Sequence, residues 1–219
     1  MLRWLADSDN PNSFANKLRT RRFSRFEVLT ANLPRPLHIL DVGGTNAFWE
    51  NRGWHRRNDI EIMTLNLFAE EQRHANIKPL SGDATNLSQF GDNSIDIVFS
   101  NSVIEHLFTS QNQRRMASEI QRVAKAFWIQ TPNFWFPMEP HFHFIGWQWL
   151  PVSIRIRLLQ RWTFGWRGPC ADPMVARRLV EEIQLLTRSE LQALFPSARL
   201  EAERFCGFVK SWIAVDGFN

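Results

Sequence analysis

The sequence has no tyrosine, only two cysteines and no apolar run that approaches a membrane span. Each shortage excludes something. Cys170 and Cys206 form no metal-binding spacing, and two reduced thiols are the plain reading, so a disulfide-stapled secreted scaffold is excluded. A spanning helix needs about 20 consecutive apolar residues, and none are present. The opening Met1-Leu-Arg-Trp-Leu-Ala-Asp7 lacks the long apolar core of a signal peptide, so a cytoplasmic location is expected. An excess of one charge sign is also lacking, with 26 Lys and Arg against 22 Asp and Glu. The formal net charge of +4 suits an anionic ligand or surface but is too small to argue nucleic-acid binding. What the chain does have is aromatic surface: ten Trp and eighteen Phe, many of them between Phe127 and Trp166. Its 219 residues suit one ordinary domain.

The most informative stretch is His38-Ile-Leu-Asp-Val-Gly-Gly-Thr-Asn-Ala-Phe48. His38 to Asp41 read as a short buried strand that runs into Gly43-Gly44, and a helix can start near Ala47. Glycines at such a junction let bare backbone approach a ligand, and a helix start presents unpaired N–H groups. Ahead of it, residues 12–32 read as a helix with Leu18, Phe23, Phe26, Val28 and Leu29 as its apolar positions. Lys17, Arg19, Arg21, Arg22 and Arg25 form a basic face, read as solvated, or as a weak contact with an acidic membrane surface or a phosphorylated substrate. Pro34 and Pro36 end this helix.

Further strands are expected at 59–65, 95–100 and 126–130, with a helix at 110–125 between the last two. Alternating strands and helices argue a doubly wound, mostly parallel sheet with right-handed crossovers. Such a sheet binds ligands at the carboxyl edge where strand order reverses. Thr187-Arg-Ser-Glu190 is a capping box, and 198–205 with 208–215 alternate as a terminal antiparallel hairpin.

Asp41-Val-Gly43-Gly44-Thr45-Asn46-Ala47 resembles the first motif of the class I S-adenosylmethionine (SAM) methyltransferases, acidic-x-Gly-x-Gly-x-Gly. Without a gap, Thr45 and Ala47 replace the second and third glycines; with a loop one residue shorter, Asn46 takes the last position. Gly82-Asp83-Ala84 resembles the family's adenine segment, although Asp83 also reads as a cap for a helix at Asn86-Leu87. Asp96-Ile-Val-Phe-Ser100-Asn101-Ser102-Val-Ile-Glu105-His106-Leu107 resembles the fourth-strand motif. The resemblance spans roughly residues 36–215 and is similar to the bacterial "type 11" class. It implies SAM as cofactor and a seven-stranded Rossmann-like sheet of order 3-2-1-4-5-7-6 over a single domain, 1–219. It also implies that Asp41, Gly43, Gly44, Asn46, Asn66, Asp83, Ala84, Ser100 and Asn101 face the cofactor.

After Asn133 the sequence changes to Phe-Trp-Phe-Pro-Met-Glu139-Pro-His141-Phe-His143, and 152–162 alternates apolar residues with Arg155, Arg157 and Arg161. Residues 134–185 are expected to form an aromatic lid over the crevice. Glu139, His141 and His143 are the candidate catalytic residues, because a hydroxyl acceptor needs a base near neutral pH and imidazole supplies one. The plainer alternative is that Glu139 and His141 only tie the lid to the core. A metal held by His141, His143 and Glu105 or Glu139 is the weaker reading, and no resident metal is expected.

Together these readings point to methyl transfer from SAM to a small, partly apolar metabolite, at oxygen first, with nitrogen or carbon behind it. The rivals are a degenerate SAM-binding module serving as a partner subunit, and a nucleic-acid methyltransferase. Against the second, there is no Asn-Pro-Pro-aromatic motif and no target-recognition domain, so no stable nucleic-acid partner is expected.

Overall fold

The computed structural model describes residues 14–165 and 167–218. The expected N-terminal helix begins within the described part as α1, Phe14–Thr30; its residues 12 and 13, the segment 1–7 and Trp166 of the insert lie outside it. Strands β1 (Leu37–Val42), β2 (Ile60–Asn66), β3 (Ile77–Ser81), β4 (Ile95–Asn101) and β5 (Ala124–Pro132) follow in turn. They run parallel, while β9 (Phe208–Asp216) is antiparallel to β5 and β8 (Arg199–Phe205) is antiparallel to β9. The sheet order is β3-β2-β1-β4-β5-β9-β8, which is the expected doubly wound topology once two short insert strands are set aside.

The two faces of the sheet follow from period-two alternation. Leu40, Val42, Val98, Phe127 and Ile129 share a core with α3 (Ser110–Val123) and α6 (Arg188–Leu194) through Met116, Ile120 and Leu191. Ile39, Ile62, Ile97, Phe99 and Trp128 face the other way, onto Phe23 and Phe26 of α1, Trp49 of α2 (Asn46–Glu50) and Trp54. The aromatic surplus is spent largely there. The Phe26 ring centroid lies 4.8 Å from that of Phe99, and Phe23 lies 5.1 Å from Trp54. Tilted and edge-on ring pairs at these separations are favourable beyond simple area burial.

The basic face of α1 is not wholly solvated as expected. Arg22 is turned inward, with Nε 3.4 Å from Glu203 of β8 and Nη1 donating to Asn101 Oδ1 at 3.3 Å. Arg25 pairs with the buried Glu201 at 2.7 Å. Val28, read as an apolar contact, is instead 73% exposed. The capping box is present: Thr187 Oγ1 accepts from the Glu190 N–H, and Glu190 accepts from the Thr187 N–H.

The insert leaves and rejoins the sheet at one place, because Asn133 bridges Leu186 and the Phe134 N–H donates to the Leu186 carbonyl at 3.0 Å. Within it lie a two-strand hairpin, β6 (Met138–Glu139) and β7 (Phe144–Ile145), and helices α4 (Val152–Arg161) and α5 (Pro173–Glu181). It has its own small core of Phe142, Trp147, Ile156, Leu159, Ala176, Val180 and Ile183, with Phe142 stacked on Trp147 at 4.3 Å. No helix among the described residues is long and apolar enough to cross a membrane.

Candidate active site

The site is built from the carboxyl ends of β1, β4 and β5. Gly43 follows β1 with φ of +79°, a backbone region that strains any side chain, and a Cβ there would overlap the Val103 side chain. A Cβ on Gly44 would overlap the Asp41 carboxylate. Both glycines are therefore required by the protein's own packing, before any ligand is considered.

Asp41 is buried under this loop, and Trp49 Nε1 donates to its Oδ2 at 2.8 Å. Burial pushes the Asp41 carboxyl up to about 7, against the Trp49 hydrogen bond and the Arg52 charge. Its place is beneath the glycine loop, as a support. Asn46 opens α2 and is buried; its N–H and Nδ2 both donate to Glu70 Oε2, at 2.7 and 2.9 Å, while its Oδ1 has no partner. Asn66, at the end of β2, donates from Nδ2 to the Gly44 carbonyl at 2.7 Å. Ser100 is buried and donates to the Val42 carbonyl at 3.0 Å, which ties β4 to β1. Asn101 receives Arg22.

Asp83 caps no helix. Its Oδ1 accepts from the Thr85 N–H at 2.8 Å and the Thr85 hydroxyl at 2.9 Å, and residues 83–86 close a small bridge. The helix expected at Asn86 is absent because Leu87 packs into the core while its N–H is taken by Glu119 at 2.6 Å. Ala84 packs against the same core.

Val103, which covers Gly43, leads into a 3-10 turn, Ile104–His106, that presents Glu105 and His106. Here the insert returns to the sheet. His141 Nδ1 lies 2.7 Å from Glu139 Oε1, and Glu139 Oε2 accepts from the N–H groups of His141 and Phe142 at 2.8 and 2.6 Å. The His141 and His106 rings meet edge-on at 4.8 Å. His106 Nδ1 lies 3.2 Å from Glu182, which Arg167 holds through two bonds of 2.9 and 3.1 Å. Glu105 is fully buried; Thr131 of β5 donates to its Oε2 at 3.0 Å, and its Oε1 is unpartnered. His143 sits in the β6–β7 turn with φ of +50°, outside this group of donors.

Electrostatics set these groups apart. Burial pulls His141 down, but the Glu139 hydrogen bond and charge, with Glu105, outweigh it and hold the imidazole above its ordinary value. Burial and the His141 charge lower His106, against Glu182. Burial raises the Glu105 carboxyl to about 7 despite His141 and Thr131. Sequence reasoning named the Glu139–His141 pair; it placed Glu105 and His106 in a motif, linking Glu105 to His141 only through the weaker metal reading and giving His106 no contact. It missed Glu70, Arg167 and Glu182, which carry no periodicity or motif.

The comparisons with known proteins agree with this architecture. Residues 43–126 match the family described as "Methyltransferase domain". No curated protein matches the sequence. Among solved structures, a SAM-dependent methyltransferase from Archaeoglobus fulgidus is similar with a TM-score of 0.55 and 13% identity, covering 91% of this chain and 92% of that one. SAM-dependent methyltransferases from Methanosarcina mazei give 0.53 and 13%, covering 86% and 94%. A protein of Anabaena variabilis, described as a methyltransferase from an antibiotic biosynthesis pathway, gives 0.53 and 16%. The match to it covers 85% of this chain and 64% of the Anabaena chain, so less than two thirds of that protein's length is represented.

The chain has the fold of the SAM-dependent methyltransferases it resembles, and its residues 43–126 match the methyltransferase domain family. The residues present suit its cofactor. The buried, unpartnered Asn46 Oδ1 offers an acceptor beside the glycine loop, and Leu67 and Phe68 stand 70% and 87% exposed at the end of β2, apolar surface for a planar base.

Proposed function

We propose that the protein methylates an oxygen of a small, partly apolar metabolite, with His141 accepting the hydroxyl proton. The observation that carries this reading is the Glu139–His141 pair. Glu139 engages Nδ1, which leaves Nε2 as the nitrogen able to take a proton, and Glu139 is itself fixed by two backbone N–H groups. A hydroxyl is a weak nucleophile until its proton can leave, so a positioned base raises its reactivity. The cofactor supplies an electrophilic methyl group on a sulfonium. Gly43, Gly44 and Asn46 would hold it, with Asn66 bracing the loop through the Gly44 carbonyl and Asp41 supporting it from below. In this reading Asp83, Ala84, Ser100 and Asn101 border the cofactor through backbone, and His143 lines the lid.

The insert 134–185 serves as the cover. Its ends are pinned at Asn133 and Leu186, its small core lets it move as one piece, and its hairpin carries His141. Exposed Trp135 and Trp149 offer apolar surface to the acceptor and help exclude water. The test is the rate of His141→Ala and Glu139→Gln against an identified hydroxyl acceptor. Slow turnover with unchanged SAM affinity supports a base; unchanged turnover would leave the pair a structural tie.

A further inference from the structure

The same corner of the molecule holds a second capacity. A carboxylate oxygen of Glu105 and one ring nitrogen each from His106 and His141 lie within 4.8 Å of one another. Both histidines have Nδ1 engaged by a carboxylate, His141 by Glu139 at 2.7 Å and His106 by Glu182 at 3.2 Å. Nε2 is the nitrogen left on each ring. A carboxylate behind each imidazole is the arrangement that orients metal-binding histidines and raises their donor strength. Arg167 in turn fixes Glu182. The independent sign of a missing ligand is Glu105 Oε1, a fully buried carboxylate oxygen without a partner. A lone buried carboxylate is costly, and a bound cation would remove that cost. The charged groups facing the cluster are Glu105, Glu139 and Glu182 with Arg22, Arg155 and Arg167.

We propose that Glu105, His106 and His141 form a site for a divalent transition-metal ion of the zinc class, with three protein donors and one open position. Two imidazoles and a carboxylate suit zinc, cobalt or nickel better than the all-oxygen preference of magnesium or calcium. Tetrahedral donors about 2.0–2.2 Å from zinc are roughly 3.4 Å apart, so the widest pair here closes by a little over 1 Å on binding. His106 is partly exposed and can supply that movement. The proposal rests on the function proposed above in one respect. An ion on His141 occupies the lone pair that proton acceptance uses, so ion-loaded and base-active protein are alternative states and the ion inhibits.

The test is titration of the full, metal-stripped chain with Zn²⁺ by calorimetry, and with Co²⁺ by its visible spectrum, without SAM or acceptor. One ion should bind per chain with a tetrahedral cobalt spectrum. His106→Ala and Glu105→Gln should each weaken binding by about 100-fold or more, with circular dichroism confirming that the metal-free variants are folded. Glu50, His55 and His74 form an unrelated surface group, with the two histidine rings 4.7 Å apart. His74→Ala should therefore leave the affinity unchanged. Absence of stoichiometric binding, or binding that survives His106→Ala and fails in His74→Ala, overturns the proposal while leaving the base reading intact. Zn²⁺ that binds through His106 but accelerates methyl transfer keeps the site and removes His141 as the base.

Discussion

Oε1 of Glu139 stands 2.7 Å from Nδ1 of His141 while Oε2 of the same carboxylate takes two backbone N–H groups, so the insert's hairpin fixes the ring's direction from its own backbone. A histidine held this way has one nitrogen committed and one available. That relationship gives the first prediction. His141→Ala should slow methylation of a hydroxyl acceptor by about 10²–10⁴-fold with SAM affinity retained. Because the ring's pKa is held above its ordinary value and a base must be neutral, the rate should rise with pH through that raised pKa. Glu139→Gln should shift this limb toward lower pH. A pH–rate profile of wild type and both variants decides it; an unmoved limb assigns the titration elsewhere.

Asp41 makes a prediction about stability. Its folded-state pKa of about 7 lies above the unfolded value, so the stabilising contribution is fully present below about pH 4. It is lost as pH rises toward 7, on the order of 4 kcal/mol for a group raised that far. Asp41→Asn keeps an acceptor for Trp49 and removes the charge. Urea unfolding from pH 4 to 8 should fall with pH in wild type and less steeply in Asp41→Asn. Glu105 has the same sign and adds to the same window. Parallel pH curves for the two proteins would remove Asp41 from the account.

Gly43→Ala should destabilise the protein even without SAM, because the new Cβ meets Val103 and the backbone sits at positive φ. The left-handed conformation alone costs roughly 1–2 kcal/mol. Thermal unfolding of the ligand-free variant reads this directly. An unchanged midpoint would show that the loop has room the structure denies it.

Residues 134–165 should exchange amide hydrogen more slowly when the demethylated cofactor and an acceptor are bound, with β1 and β4 little changed. The insert's separate core and pinned ends let it close as a unit. Equal exchange with and without ligands would make it a fixed wall.

Much of the fold was legible in the sequence because its signals are local. The buried run of β1 into Gly43-Gly44, the Thr187–Glu190 box and the terminal hairpin, Arg199 to Asp216, are each built from residues close in sequence. The site was less legible because its contacts are distant. Arg22 reads as one more cation on a basic helix until β8 brings Glu203 beside it. Glu182 looks like a surface residue of an acidic pair, yet the insert's return path sets it against His106. Asp83 shows the opposite failure. Its spacing fits a helix cap, but Leu87 is drawn into the core and the turn closes on Thr85 instead. The aromatic count was also misleading in place, since the rings are concentrated under α1 as well as in the insert.

The central claim is methyl transfer to a small-molecule oxygen. It is tested most directly by incubating the protein with methyl-labelled SAM and a small-molecule extract, then locating the label by mass spectrometry and NMR. The account predicts a labelled methyl on oxygen of a low-mass, partly apolar product, formed by wild type and strongly reduced with His141→Ala. Label found only on nitrogen or carbon, only in macromolecules, or at equal rate in His141→Ala would contradict it.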